Sequence, residues 1–130
     1  MSAKSQLPRP TDAELEILTV LWSLGPSTVR DVHETIVRRK PAQYTTVLKT
    51  LQIMAEKGLV QRDEKQRAHI YSAARPREWT QQQLAGDLLQ RAFGGSAASL
   101  MLGALSSQRA SREELAELRK FLEDYEKGKP

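Results

Sequence analysis

The 130-residue chain contains no cysteine. Disulfides and thiolate metal sites are therefore excluded. Histidine is almost as scarce. His33 and His69 stand far apart in the sequence, a poor constellation for a metal ion when no cysteine can join them. No apolar run reaches the length needed to span a bilayer, and Met1–Gln6 lacks the apolar core of a signal peptide. The expected compartment is the cytoplasm, with no membrane partner. A Gly-rich phosphate loop is missing, and no Ser-His-Asp set is recognisable. The carboxylate pairs Asp63-Glu64 and Glu113-Glu114 fall in a loop and at a helix start, where they are solvated or capping. The chain is therefore not expected to be an enzyme. No catalytic residue, metal or cofactor is predicted.

What is present is positive charge in one place. The net charge is +4. Residues 76–130 carry eight basic and eight acidic side chains and are neutral. Between Ile36 and Arg75 there are nine basic residues (Arg38, Arg39, Lys40, Lys49, Lys57, Arg62, Lys65, Arg67, Arg75) against Glu56, Asp63 and Glu64. A local excess of this size attracts phosphates and releases counterions. A solvated face is the plainer explanation of a charge run. Coincidence with the motif described next favours nucleic acid. Length allows one or two small units, and a first unit of this size has a small core that a partner chain would help to stabilise.

Hydrophobic periodicity and punctuation mark the elements. Thr11-Asp12-Ala13-Glu14 is a capping box that opens a helix to about Leu24. Leu15, Leu18, Leu21 and Trp22 should share its buried face, with Ile17 at the flank. Gly25-Pro26 stops it. A second helix, Val29–Arg39, buries Val29, Val32 and Ile36 and ends before Pro41. The third, Tyr44–Lys57, places Val47, Leu51 and Met54 at i, i+4 and i+7 toward the core and ends at Gly58. Thr45, Thr46, Lys49, Gln52, Ile53 and Glu56 fall on its other side. Two strands, Leu59–Arg62 and Ala68–Tyr71, flank a charged loop that has no Gly and should form an open wing. Tyr71 should pack its ring in the core and expose its hydroxyl. Trp22 should also be core, and Trp79 either core or part of a chain–chain contact. From Pro76 the pattern is helical: Glu78–Phe93, Ala97–Leu105 capped by Ser96, and a last helix opened by the capping box Ser111–Glu114.

The fold class is thus mainly α with a small β-hairpin. A winged helix-turn-helix, residues 1–75, precedes a helical dimerisation domain, residues 76–130. In such a layout one helix suits the major groove and the hairpin suits the flanking backbone. The candidate DNA-binding residues at the start of the third helix are Gln43, Tyr44, Thr45 and Thr46. Lys49 and Gln52 continue that face. Thr and Gln can bond base edges, Lys can bond guanine or phosphate, and a Thr methyl can pack on a thymine methyl. On the wing, Arg62, Lys65 and Arg67, with His69 beside them, can hold phosphates, which positions a protein without specifying sequence. In the last two helices Leu100, Leu102, Leu105, Leu115, Leu118 and Leu122, with Tyr125, form apolar stripes that need cover. A purely intrachain bundle is one solution. A twofold homodimer is favoured, since it would set two reading helices on successive half-sites of a palindrome. The competing class is a winged-helix module that binds protein instead of DNA. Such a module would more often show apolar residues on the free face of the third helix.

These segments together resemble the penicillinase-repressor family (BlaI/MecI/CopY) of bacterial transcriptional regulators. The carrying stretches are Thr11–Trp22, Ser27–Val32, Tyr44–Val47, Lys57–Val60, Arg67–Tyr71, Phe93–Ser96 and Ser111–Leu122, in order along nearly the whole chain. The resemblance implies a winged-helix domain, a helical dimerisation domain and repression by occupying a dyad operator of double-stranded DNA. Copper-responsive members carry a C-terminal cysteine cluster, and this chain has none, which argues against copper sensing. The antibiotic-resistance repressors are inactivated by a regulatory protease at an Asn-Phe bond in the short dimerisation helix. Gly103-Ala104 stands at the matching place here. Family members often have Arg near the position of Ile53 and Thr near that of Lys49, so a different operator preference is implied.

Overall fold

The computed structural model describes residues 9–128. The N-terminal stretch Met1–Gln6 lies outside them. Six helices and one hairpin follow in order: α1 Asp12–Leu24, α2 Val29–Val37, α3 Tyr44–Lys57, β1 Val60–Asp63, β2 Ile70–Ala73, α4 Arg77–Ala92, α5 Ala97–Ser107 and α6 Arg112–Glu126. The chain divides into two compact units, one reaching to Leu84 and the other starting at Ala85, so the division falls inside α4. The start of α4 belongs with the first unit for visible reasons. The Trp22 indole N–H donates to the Arg75 carbonyl at 3.0 Å, the Arg77 guanidinium lies over the Trp22 ring, and Thr80 is buried.

Both expected capping boxes of the reading above form. Thr11 and Glu14 exchange side-chain and backbone hydrogen bonds at the start of α1, as Ser111 and Glu114 do at α6. Thr28 and Asp31 make a third at α2, where a hydroxyl again satisfies an amide that the helix cannot. α3 ends at Gly58, which adopts the left-handed conformation (φ 85°) open to glycine. The next amide, Leu59 N–H, returns to the Met54 carbonyl at 2.9 Å.

The core of the first unit is Ile17, Leu18, Val20 and Leu21 of α1, Val29, Val32 and Ile36 of α2, Val47, Leu51 and Met54 of α3, and Leu59, Val60 and Tyr71 around the hairpin. The buried face of α1 is wider than periodicity suggests. Ile17 and Val20 are buried, whereas Leu15 and Trp22 are only partly so. The cause is that α1 packs against α2, α3 and β2 together, so it is covered on more than one side.

The strands sit one and two residues later than expected. β1 and β2 are antiparallel with Val60 opposite Ala73, Gln61 opposite Ser72, Arg62 opposite Tyr71 and Asp63 opposite Ile70. Leu59 is spent on the α3 cap, and a wing loop without Gly needs the residues from Glu64 to His69 to turn round. Tyr71 also pairs across to Ser27 through two backbone hydrogen bonds, 2.7 and 2.9 Å, tying the wing to the start of α2. Tyr71 is 1% exposed, so its hydroxyl is buried with the ring and does not reach the surface, contrary to the expectation from sequence.

Glu14 has a second role that no local pattern reveals. It is buried, and the Lys57 ammonium at the end of α3 meets its two carboxylate oxygens at 2.8 and 3.1 Å. Burial pushes the Glu14 carboxyl up. The hydrogen bonds from Lys57 and from the Thr11 amide, with the Lys57 charge, outweigh burial and hold it below its ordinary 4.5. A lowered folded value means stability that is present above the ordinary carboxylate range and lost as pH falls through the lowered one. Glu14→Gln keeps the capping geometry and removes only the charge. It should cost about 1–3 kcal/mol at neutral pH. Melting curves from pH 7 to 3 should show the wild-type advantage shrinking below pH 4.5. An advantage constant across that range would show that the charge does not contribute.

The second unit holds the remainder of α4 with α5 and α6. Neither α5 nor α6 contains a buried residue. The Phe93 ring covers Gly103 so closely that an added Cβ would meet its Cε1 at 3.3 Å. A side chain at that position would have to displace the Phe93 ring by a few tenths of an ångström.

Candidate nucleic-acid interface

α3 is divided cleanly by its own periodicity. Val47, Leu51 and Met54 are buried, and Thr45, Thr46, Lys49, Gln52, Ile53 and Glu56 are exposed. At 100° per residue Lys49 lies in the middle of the exposed arc, with Thr45 and Gln52 to one side and Thr46 and Ile53 to the other. Gln43 is the N-cap residue, yet its side chain makes no capping hydrogen bond. The first amides of α3 therefore lack a side-chain partner, and the positive end of the helix dipole is uncovered.

The turn that presents this end is held by a residue whose sequence position gave no sign of it. His33 of α2 meets the Ala42 carbonyl through Nε2 at 2.8 Å. A carbonyl can only accept, so Nε2 carries the hydrogen. The His33 ring also stands edge-on to Tyr44, with centroids 5.6 Å apart. Tyr44 keeps its other side exposed. His33 and Ala42 are nine positions apart across an irregular turn, a spacing that no periodic pattern carries.

The positive stretch is partly neutralised by acids of α1 that lie far from it in sequence. Glu16 takes Lys40 at 3.0 Å and Arg39 at 3.5 Å, and Glu14 takes Lys57. On the wing, Arg62 is exposed but already paired. Its guanidinium meets the Glu64 carboxylate at 2.6 Å. The Tyr71 phenol does most to raise its affinity for the proton; desolvation works against this, and the Glu64 carboxylate adds to the rise. Arg62 could reach a phosphate only by releasing Glu64. Lys65, Arg67 and His69 are exposed on the loop, whose start is fixed by the Lys65 amide donating to Asp63 at 2.9 Å. Among the described residues no ion pair occupies Arg38, Lys49, Lys65 or Arg67. The available charge is thus smaller than the sequence total, and it is carried by Arg38 at the end of α2, Lys49 of α3 and the wing tip.

In the second unit Leu100, Leu115 and Leu118 are half-buried, while Leu102, Leu105 and Leu122 are exposed. Met101, Phe121 (61% exposed) and Tyr125 (71% exposed) extend the apolar surface beyond the expected leucines. The rings of Phe121 and Tyr125 lie 6.0 Å apart on one side of α6.

Two helices joined by a short turn, with a charged hairpin behind the second, make this a winged helix-turn-helix protein with a helical C-terminal unit. The penicillinase repressor family model matches residues 10–124, and the chain belongs to that family of transcriptional repressors. It is 34% identical to the transcriptional regulator BlaI of Mycobacterium tuberculosis (strain ATCC 25618 / H37Rv) over 126 residues, covering 95% of this chain and 90% of that protein. It is 23% identical to the penicillinase repressor of Bacillus licheniformis, over 95% of this chain and 97% of that one. A solution structure of the Bacillus licheniformis BlaI monomer in complex with the blaP half-operator aligns with a TM-score of 0.49 at 20% identity, over 56% of this chain and 89% of that one. No helix among the described residues is long and apolar enough to cross a membrane.

Proposed function

We propose that the chain is a dimeric transcriptional repressor that occupies a palindromic operator. The free face of α3 enters the major groove and the wing rests on the flanking backbone. The observation that carries this reading is the arc of α3 centred on Lys49, exposed and polar except for Ile53, while the opposite arc is core. Gln43, Tyr44, Thr45 and Thr46 approach the bases from the uncovered N-terminus. Lys49 and Gln52 continue along the groove. Lys65 and Arg67 hold phosphates, and Arg62 joins them once Glu64 lets go. The apolar surface of α5 and α6, with Leu100, Leu102, Leu105, Leu115, Leu118 and Leu122, joins two copies.

Release by a protease fits the same arrangement. Gly103 and Ala104 are exposed on α5, and a cut there would divide the apolar surface that joins the copies. The cleaved chain would keep its reading helix but lose its second half-site.

Binding to labelled duplexes tests the reading. Titration against the chain's own promoter region and against random duplex of equal length should give a clear preference for the former. Affinity should fall steeply with salt, since phosphate contacts release counterions. Arg67→Ala should weaken binding to all duplexes alike and make the slope of log K against log salt shallower by about 0.9 per subunit, about 1.8 for the dimer. An unchanged slope would remove Arg67 from the phosphate set. Equal affinity for promoter and random DNA would favour the protein-binding alternative.

A further inference from the structure

Ile53 is an oddity on the free face of α3. It is 39% exposed, and its neighbours on that arc, Lys49, Gln52 and Glu56, are exposed and polar. Tyr44, the other large hydrophobic exposed in α3, has His33 against its ring. Ile53 belongs neither to the buried core nor to the apolar residues packed against it. A lone apolar side chain among charges is too small a patch to dock a protein. It matches a feature of the major groove instead. The thymine C5-methyl is the apolar group on a base edge there, and apolar side chains read it by contact.

We propose that Ile53 is a specificity-determining residue that packs on a thymine methyl in the operator. The inference rests on the DNA-binding reading above and gives one base of its sequence. Ile53 follows Thr46 by seven residues on the same side of the helix, a rise of roughly 10 Å. For a helix lying along the groove this is about three base-pair steps. The thymine therefore lies about three base pairs beyond the bases reached by Thr46. Glu56, less than one turn further along, carries a carboxylate that repels phosphate. That end of α3 is thereby suited to a base edge and not to the backbone.

The test separates this inference from the reading it rests on. The full-length chain selects duplexes from a random pool, and each thymine of the enriched duplex is then replaced singly by deoxyuridine, which deletes only the methyl. Wild type should lose about fourfold in affinity at one thymine per half-site, the effect of one buried methyl group. Ile53→Ala, which loses the contact in both half-sites, should bind the thymine duplex about sixteenfold more weakly and show no further loss on deoxyuridine at that position. Ile53→Val, which keeps branched methyls at the same site, should retain part of the discrimination and controls for folding. Enrichment with the same deoxyuridine profile in wild type and Ile53→Ala would overturn the proposal while leaving DNA binding intact. Failure to enrich any duplex would overturn the DNA-binding reading and this inference with it.

Discussion

Leu51→Ala should destabilise the first unit by roughly 2–5 kcal/mol, whereas Lys49→Ala, two positions away, should leave its melting nearly unchanged. Leu51 is fully buried at the junction of α1, α2 and α3, so truncation removes apolar contact and leaves a cavity that the surrounding core cannot wholly fill. Small domains are stable by only about 5–15 kcal/mol, so the loss is a large fraction of the total. Lys49 is exposed and has no ion pair among the described residues. Its removal should instead reduce preference for the operator over random DNA, by roughly 1–3 kcal/mol if it makes a good base contact. Thermal melting reads the first effect and binding competition the second. Should Leu51→Ala melt like wild type while Lys49→Ala unfolds, the face of α3 assigned to DNA is wrong.

That contrast rests on a part of the molecule that is legible in the sequence. Val47, Leu51 and Met54 repeat at helical spacing between a turn at Pro41 and a stop at Gly58, and α3 runs from Tyr44 to Lys57 as expected. Local signals of this kind also fixed the capping boxes and the existence of the hairpin. What escaped was set by partners distant in sequence. Glu14 reads as a cap, and only packing of α1 on α3 brings Lys57, 43 positions away, onto its carboxylate. Glu16 carries no local signal, and it draws charge from Arg39 and Lys40 in the positive stretch. Arg62 reads as a free wing cation. The register sets it opposite Tyr71, and Glu64 pairs with it. The candidate site is therefore legible as a helix face, while its effective charge is decided by tertiary contacts.

The largest change in DNA binding should come from the second unit, far from any base. Leu122 and Phe121 are exposed on α6, and α5 adds Met101, Leu102 and Leu105. Apolar groups of this size stay in water only at a cost, and a second copy presenting the same surface would cover them about a twofold axis. Placing a carboxylate there, as in the double variant Phe121→Glu and Leu122→Glu, should convert a dimer into a monomer by sedimentation. The first unit keeps its own core, Ile17 through Tyr71, and should melt as before. Two reading helices tied together bind the second half-site at the effective concentration set by the link between them. Loss of that link should weaken binding to a full palindrome by roughly 10²–10⁴-fold. Binding to an isolated half-site should hardly change, because each α3 and wing is intact. Equal losses on half-site and palindrome would mean that the substitutions damaged the reading unit itself. A variant that still sediments as a dimer would move the interface away from α6.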